Sequence, residues 1–275
     1  MSLFVCKDPI TRALRDFMPT FHLIRVPESA IQPLVVLVKD PDQKANALRR
    51  VGPLSDLLAN APDEPILDSR MADLSGKKST DVKVDLGLQI VSGFLSGFGV
   101  NPPSLKAVFD QVSTLSFSFE DVHRQFIDQT KLGDMLLNQP VELANPAVAT
   151  VREGGRCLVI DSEVVSNNFS VRAERTTDAN FAFDLGDIKN ILEAGAQKVA
   201  VKATNEKTIQ FKGEAPLAFA FTCVELFFDD AGQVTKFLSV KPGKQSVGFG
   251  ASEEDASVLE TEFEEELEML DISGS

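Results

Sequence analysis

The run Asp81-Val82-Lys83-Val84-Asp85-Leu86-Gly87-Leu88-Gln89-Ile90 alternates polar and apolar residues for five periods. Val82, Val84, Leu86, Leu88 and Ile90 fall on one side of an extended chain, so the spacing predicts a strand with one apolar and one polar face. Beyond the glycines at 93, 97 and 99 and the Pro102-Pro103 pair, Leu115, Phe117 and Phe119 alternate in the same way with Thr114, Ser116 and Ser118. The two runs are expected to pair as a long hairpin. A similar pair recurs downstream. Cys157 to Glu174 ends with Phe169, Val171 and Ala173 set against Ser170, Arg172 and Glu174, and Gln197 to Phe228 places Val199 and Val201 against Lys198 and Lys202 before an apolar run from Leu217.

Around these hairpins the remaining elements are shorter. His22 to Val26 and Leu34 to Lys39 are branched apolar runs separated by Pro27 and Pro33, which reads as two buried strands. Arg49 to Met71 reads as loop with a short helix near Leu54 to Leu58, because Pro62 and Pro65 interrupt it. Segments near Asp121 to Leu137 and Leu185 to Ala196 are expected to be helical. Pro9 to Phe17 reads as a short amphipathic helix with Arg12 and Arg15 on its polar side. Asp229-Asp230-Ala231-Gly232 is a turn signal before a last strand, Val234 to Val240. The expected fold class is α+β, a central twisted and mostly antiparallel sheet with short helices around it.

The last 25 residues, Ala251 to Ser275, carry ten acidic side chains and no basic one. Leu259, Phe263, Leu267 and Leu270 nevertheless recur at i, i+4, i+8 and i+11, one side of a helix that needs an apolar groove to cover it. Ser252 and Asp255 supply a capping-box start. Upstream, Lys241-Pro242-Gly243-Lys244-Gln245-Ser246-Val247-Gly248-Phe249-Gly250 reads as an exposed hinge. The division that follows is a body over 1–240, a cleavable linker over 241–252 and a C-terminal helix over 253–275.

Of the 41 acidic residues ten lie in this tail, which leaves 31 against 27 basic residues in 1–250, a net charge of −4 within a total of −14. Nucleic acid is therefore not an expected partner. No signal peptide and no run of 18 apolar residues is present, so the intact chain is expected to be cytoplasmic. Cys6, Cys157 and Cys223 are widely spaced and outside any CxxC context, which argues against disulfides and zinc. HExxH, GxSxG and GxGxxG are absent, and Gly76-Lys77-Lys78-Ser79 lacks the upstream glycine of a phosphate loop. His22 and His123, the two imidazoles, have no nucleophile pattern beside them, and His123 reads as a surface or half-buried histidine. No catalytic residue, cofactor site or metal site is expected.

With these segments in place, the chain resembles the gasdermin family, and in particular its short bacterial members. Phe21-His22-Leu23-Ile24-Arg25-Val26-Pro27, the Pro33 to Lys39 strand and Leu54-Ser55-Asp56-Leu57-Leu58 resemble the start of a gasdermin pore-forming domain. Gly154-Gly155-Arg156-Cys157-Leu158-Val159-Ile160-Asp161-Ser162-Glu163-Val164-Val165 resembles the strand that opens the second membrane hairpin. Lys207 to Phe211 and Pro216 to Leu226 resemble the strand pair that closes it. The resemblance implies a protein that is monomeric when intact and held inactive by its C-terminal element. A protease cuts the linker, and the released domain forms a homo-oligomer on membrane lipids and opens two hairpins into a large β-barrel in the inner membrane, killing the cell in defence against phage.

Carried onto this sequence, the inhibitory contact is Leu259, Phe263, Leu267 and Leu270, and the cleavage region spans Lys241, Lys244, Val247, Gly248, Phe249 and Gly250. The membrane-hairpin candidates are Val82, Val84, Leu86, Leu88, Ile90, Leu115, Phe117, Phe119, Phe169, Val171, Val199 and Val201. Cys6 matches a cysteine near the N-terminus that bacterial members carry palmitoylated, and Lys7, Arg12 and Arg15 are placed to meet anionic headgroups. A barrel also accounts for the alternation, since strands cross hydrocarbon only in closed barrels and need about 9 to 11 residues each. The absence of tryptophan and tyrosine departs from the aromatic girdles of ordinary membrane barrels. Two other functions fit the pattern of segments: a lipid or acyl-ligand carrier whose tail is a lid, and an interaction protein whose acidic helix docks a partner in trans.

Overall fold

The computed structural model describes residues 14, 18–39, 41, 48–58, 65–72, 82–99, 112, 114–136, 139–142, 144–174, 188, 199–205 and 207–242. In chain order the strands are β1 (His22–Glu28), β2 (Val35–Lys39), β3 (Arg49–Pro53), β4 (Leu67–Arg70) and β5 (Val82–Lys83), then β6 (Thr114–Glu120), β7 (His123–Phe126), β8 (Arg156–Glu174), β9 (Val199–Asn205), β10 (Thr208–Phe228) and β11 (Val234–Ser239). Helix α1 (Val84–Gly97) follows β5, and α2 (Gln129–Leu136) follows β7.

β8 and β10 organise the rest. They run antiparallel over 19 and 21 residues, from Thr208 opposite Arg172 to Leu226 opposite Cys157. Their middles are buried on both faces and therefore read as nearly continuous apolar sequence. Strands β1, β9 and β11 add to β10, while β2, β6 and β7 add to β8; β3, β4 and β5 extend β2, β7 and β6. A bidentate pair of Arg156 with Glu225, at 2.8 and 2.6 Å, ties β8 to β10 near one end.

Three apolar clusters lie on this sheet. One gathers α1 onto β6, β8 and β10, and a second gathers α2 with Leu54 and Leu57 of a short 3-10 turn. The third occupies the face opposite the second, since Leu158 and Ile160 alternate with Cys157 and Val159. Strand residues make up nearly all of this third cluster, with Ile31, Leu48 and Val240 added from outside the strands; none of its members lies in a helix of the described residues.

The α+β class with a large, mostly antiparallel sheet is what the alternation predicted, but several elements differ. Val82 to Ile90 is not a strand: only Val82–Lys83 is extended, and Val84, Leu86, Leu88 and Ile90 belong to α1. Val91, Phe94, Leu95 and Phe98, buried at i, i+3, i+4 and i+7, set a helical period directly downstream. Val84, Leu88, Val91 and Leu95 share that period, so both patterns overlap in one segment and burial under the sheet selects the helix. The expected hairpin shrinks to two pairs, Val82 with Leu115 and Lys83 with Thr114.

Asp121 to Leu137 is likewise strand and then helix. Asp128 accepts hydrogen bonds from the Thr130 and Lys131 amides, which caps α2 and delays its start to Gln129. Arg49 to Met71 contains β3 and β4 as well as the short turn, and Lys207 to Phe211 with Pro216 to Leu226 form one strand, β10, rather than two. The last strand runs Val234–Ser239, one residue shorter than expected after the turn signal, and Asp229 caps that turn through the Ala231 and Gln233 amides. Of the helices expected over Pro9 to Phe17 and Leu185 to Ala196, only Leu14 and Ile188 are among the described residues, and both are helical.

Candidate functional site

β6, the outer part of β8, the first part of β10 and β9 form a four-stranded unit with two unlike faces. Phe119, Phe169, Phe211 and Val201 stand opposite one another across it, as do Phe117, Val171, Ile209 and Ala203. This apolar face is covered by α1. Phe94 sits 4.7 Å from Phe119 and 4.9 Å from Phe169, and Phe169 stacks on Phe211 at 4.9 Å. The other face is polar, with rows Ser118, Ser170, Gln210, Lys202 and Glu120, Asn168, Lys212, Ala200. Glu120 is its hub, accepting from Ser170 Oγ and Gln210 Nε2 at 2.6 Å each and from Asn168 Nδ2 at 3.3 Å.

Two glycines set how closely the helix approaches. A Cβ on Gly97 would collide with the Pro27 carbonyl, and one on Gly213 with the Phe98 ring. Gly213 also begins a discontinuity. Between the pairs Lys212 with Asn168 and Leu217 with Ser166, residues 213–216 of β10 face Asn167 alone. Asn167 Nδ2 donates to the Gly213 carbonyl at 3.1 Å, and Ser166 Oγ donates to the Glu120 carbonyl at 2.7 Å. At the same level β6 turns into β7 through Asp121, whose φ is 52°. A seam therefore crosses the sheet where the two-faced unit meets the rest.

Beyond β11, Val240 joins the third apolar cluster. The Val240 amide donates to the Cys223 carbonyl at 3.0 Å, and its carbonyl lies 3.2 Å from Nε2 of buried His22, which stacks on Phe221. Lys241 and Pro242 follow at the surface. Glu163 lies on this face, opposite Gln125 and Phe221, and burial pushes its carboxyl up to about 8.

Burial holds the Cys157 thiol at about 12 and the Cys223 thiol still higher, so both free cysteines are inert. Among the described residues no three His, Cys, Asp or Glu side chains group as metal ligands, and no helix is long and apolar enough to cross a membrane.

A two-faced sheet under a covering helix is an arrangement that comparisons with known proteins can place. Residues 24–233 match the model of the Bacterial Gasdermin Family. The chain belongs to that family. It is 27% identical to the gasdermin of Vitiosangium sp. over 98% of this chain and 99% of the relative, and 26% identical to that of a Desulfuromonadales bacterium over 86% of each. A bacterial gasdermin from Bradyrhizobium tropiciagri shares the fold of this gasdermin at a TM-score of 0.56 with 12% identity, over 89% of this chain and 98% of the other.

The structure brings Phe117, Phe119, Phe169, Val171, Val199 and Val201 onto one cluster, together with Leu88 of α1. Val82 and Leu115 pair in the backbone, and Val84, Leu86 and Ile90 lie in α1. Cys6, Lys7, Arg12 and Arg15 lie outside the described residues. So do Lys244, Val247, Gly248, Phe249, Gly250, Leu259, Phe263, Leu267 and Leu270. Sequence reasoning missed the seam, although Gly213 and Pro216 inside a strand run are the usual mark of a bulge. It also missed Asp68 and Asp121, which flank His123.

Proposed function

We propose that this gasdermin is a latent pore-forming protein, released by proteolysis of its linker. The observation that carries this is the pairing of a two-faced sheet with a covering helix whose own sequence alternates. Exposed to lipid, the four strands and the first half of α1, up to Ile90, have a strand pattern with one apolar face. Backbone groups in hydrocarbon need a closed barrel, and four strands per chain require many copies to close one. The Phe119, Phe169 and Phe211 face would turn to lipid and the Glu120 face to the lumen. Strands of about 9 to 11 residues are required, so residues flanking β6, β8 and β9 join them.

The intact state has 1–240 as the body, 241–252 as linker and 253–275 as an inhibitory helix. Leu259, Phe263, Leu267 and Leu270 seat on the third cluster's face, beside the point where Val240 hands over to the linker. The tether keeps the local concentration near about millimolar, so cutting it releases a contact too weak to persist alone. The intact chain is a cytoplasmic monomer, and the pore forms in the inner membrane, with cell death in defence against phage as the outcome. Palmitate on Cys6 and the bases Lys7, Arg12 and Arg15 assist the membrane step; an intact mass equal to the bare 29.9 kDa chain from native extracts would count against the acyl group. The family is not one of enzymes, and no cofactor enters this scheme.

The test is limited proteolysis within 241–252 followed by dye release from liposomes. Release on cleavage, and from uncleaved Phe263→Asp, is the expected result. Silence after cleavage by several proteases would overturn the pore, and a double Phe263/Leu267 variant that stays inert would overturn the inhibitory seat.

A further inference from the structure

The seam carries an ionic cluster that neither the core nor the proposed barrel uses. His123, the first residue of β7, is one-third exposed and held from two sides. Its Nδ1 lies 2.6 Å from Asp68 Oδ1 on β4, and its Nε2 lies 3.5 Å from Asp121 Oδ1 in the turn that ends β6. Arg70 of β4 reaches Asp121 at 3.8 Å, and Gln125 donates to Asp68 Oδ2 at 3.2 Å. From β8 the residue opposite His123 is Val165, with Glu163 two pairs along, opposite Gln125. Arg124 next along β7 donates to Ser162 and lies over Phe21 and Phe126 instead. The Met71 amide closes the group by donating to the Val122 carbonyl at 2.8 Å.

Among the described residues β4 pairs with β7 alone. When protonated, His123 thus ties this edge strand to the turn that ends β6. Two carboxylates attract the proton, and the hydrogen bond to Asp68 chiefly, then that to Asp121, raises the His123 pKa, while Asp68 is held low by the same contact.

We propose that protonated His123 is a latch on the seam, clamping the β6–β7 turn to β4, and that loss of its proton frees the turn about which the two-faced sheet opens. This rests on the pore reading above. A histidine whose folded pKa is raised contributes its full stabilisation below the unfolded value and loses it as pH rises through the folded one. Opening after cleavage is therefore slowest in acid and quickens at alkaline pH.

Two measurements test the latch from about pH 5, the lower end of histidine's ordinary titration range, to beyond about pH 8, the side towards which the two carboxylates move it. In the intact chain, amide exchange at Leu67 to Met71, corrected for intrinsic rates, should lose protection several-fold as pH rises. In linker-cleaved protein the rate of dye release should rise over the same interval. In a Glu163→Gln background, which removes the neighbouring carboxyl that titrates near 8, His123→Gln should give flat profiles at the alkaline level of that background in both, and Asp68→Asn should move both midpoints to lower pH. Wild-type exchange that does not respond to pH overturns the latch, as does a His123→Gln variant that keeps the profile of that background. Exchange that follows the latch beside release that ignores pH overturns its control of opening. No release from any variant overturns the pore reading, while the exchange data still decide whether the clamp exists.

Discussion

Glu163 places a carboxyl group, 3% exposed, in the middle of the sheet between Gln125 and Phe221. Water is excluded, so the neutral form is favoured and the pKa stands at about 8 against an ordinary 4.5. The folded chain keeps this proton over a range where the unfolded chain releases it. Stability is thus fully present below the unfolded value and falls as pH rises towards 8. We expect wild-type protein to lose about 2–4 kcal/mol more than Glu163→Gln between about pH 5 and 8 in urea unfolding. Equal losses would mean that water or a charged neighbour reaches the group. Nothing in Ile160-Asp161-Ser162-Glu163-Val164-Val165 marks Glu163 as buried, because polar residues at a strand centre ordinarily face solvent.

Helix α1 is held by close approach as much as by apolar area. An alanine in place of a helical glycine ordinarily gains about 1 kcal/mol. At Gly97 the added methyl meets the Pro27 backbone carbonyl, which has no rotamer with which to yield. Overpacking of this kind costs about 1–3 kcal/mol, and at a backbone contact the upper end outweighs the gain in propensity. Gly97→Ala should therefore lower the melting temperature and, on the pore reading proposed above in which α1 leaves the sheet, speed dye release after cleavage. A raised melting temperature would show that the helix end is not held there. The period-two pattern of Val82 to Ile90 is in this view compatible with two conformations, the helix observed here and a strand in the proposed barrel.

For the whole molecule, charge and attachment are separable. The tail holds ten carboxylates of an excess of 14, so the intact chain is repelled by an anionic surface and the cleaved body much less. At about 0.3 M salt the screening length falls to several Å and that repulsion is largely gone. We expect cleaved protein to float with anionic vesicles and intact protein to stay in solution at both low and high salt. Flotation of the intact chain at high salt alone would mean that charge, rather than a seated helix, keeps it off the membrane.

Periodicity and punctuation determined a good deal of this protein. Strands β6 and β8 and the class of the fold follow from alternation, because a strand's side chains must divide between two faces whatever lies above them, while β2 follows from a branched apolar run bounded by proline and β11 from the turn signal before it. Tertiary structure decided the rest. It turned Val84 to Gly97 into a helix, since Val91, Phe94, Leu95 and Phe98 carry a helical period that extends back to Leu88 of the alternating run, and the sheet offered a surface to that period. It merged Lys207 to Phe211 and Pro216 to Leu226 into one strand, because β8 pairs with both across the bulge. It brought Asp68 and Asp121 to His123, residues that neither share an element nor form a motif, because β4 and the β6–β7 turn meet only once β7 is paired. Local spacing records which face a residue takes; which neighbour fills that face is settled by contacts between segments far apart in the chain.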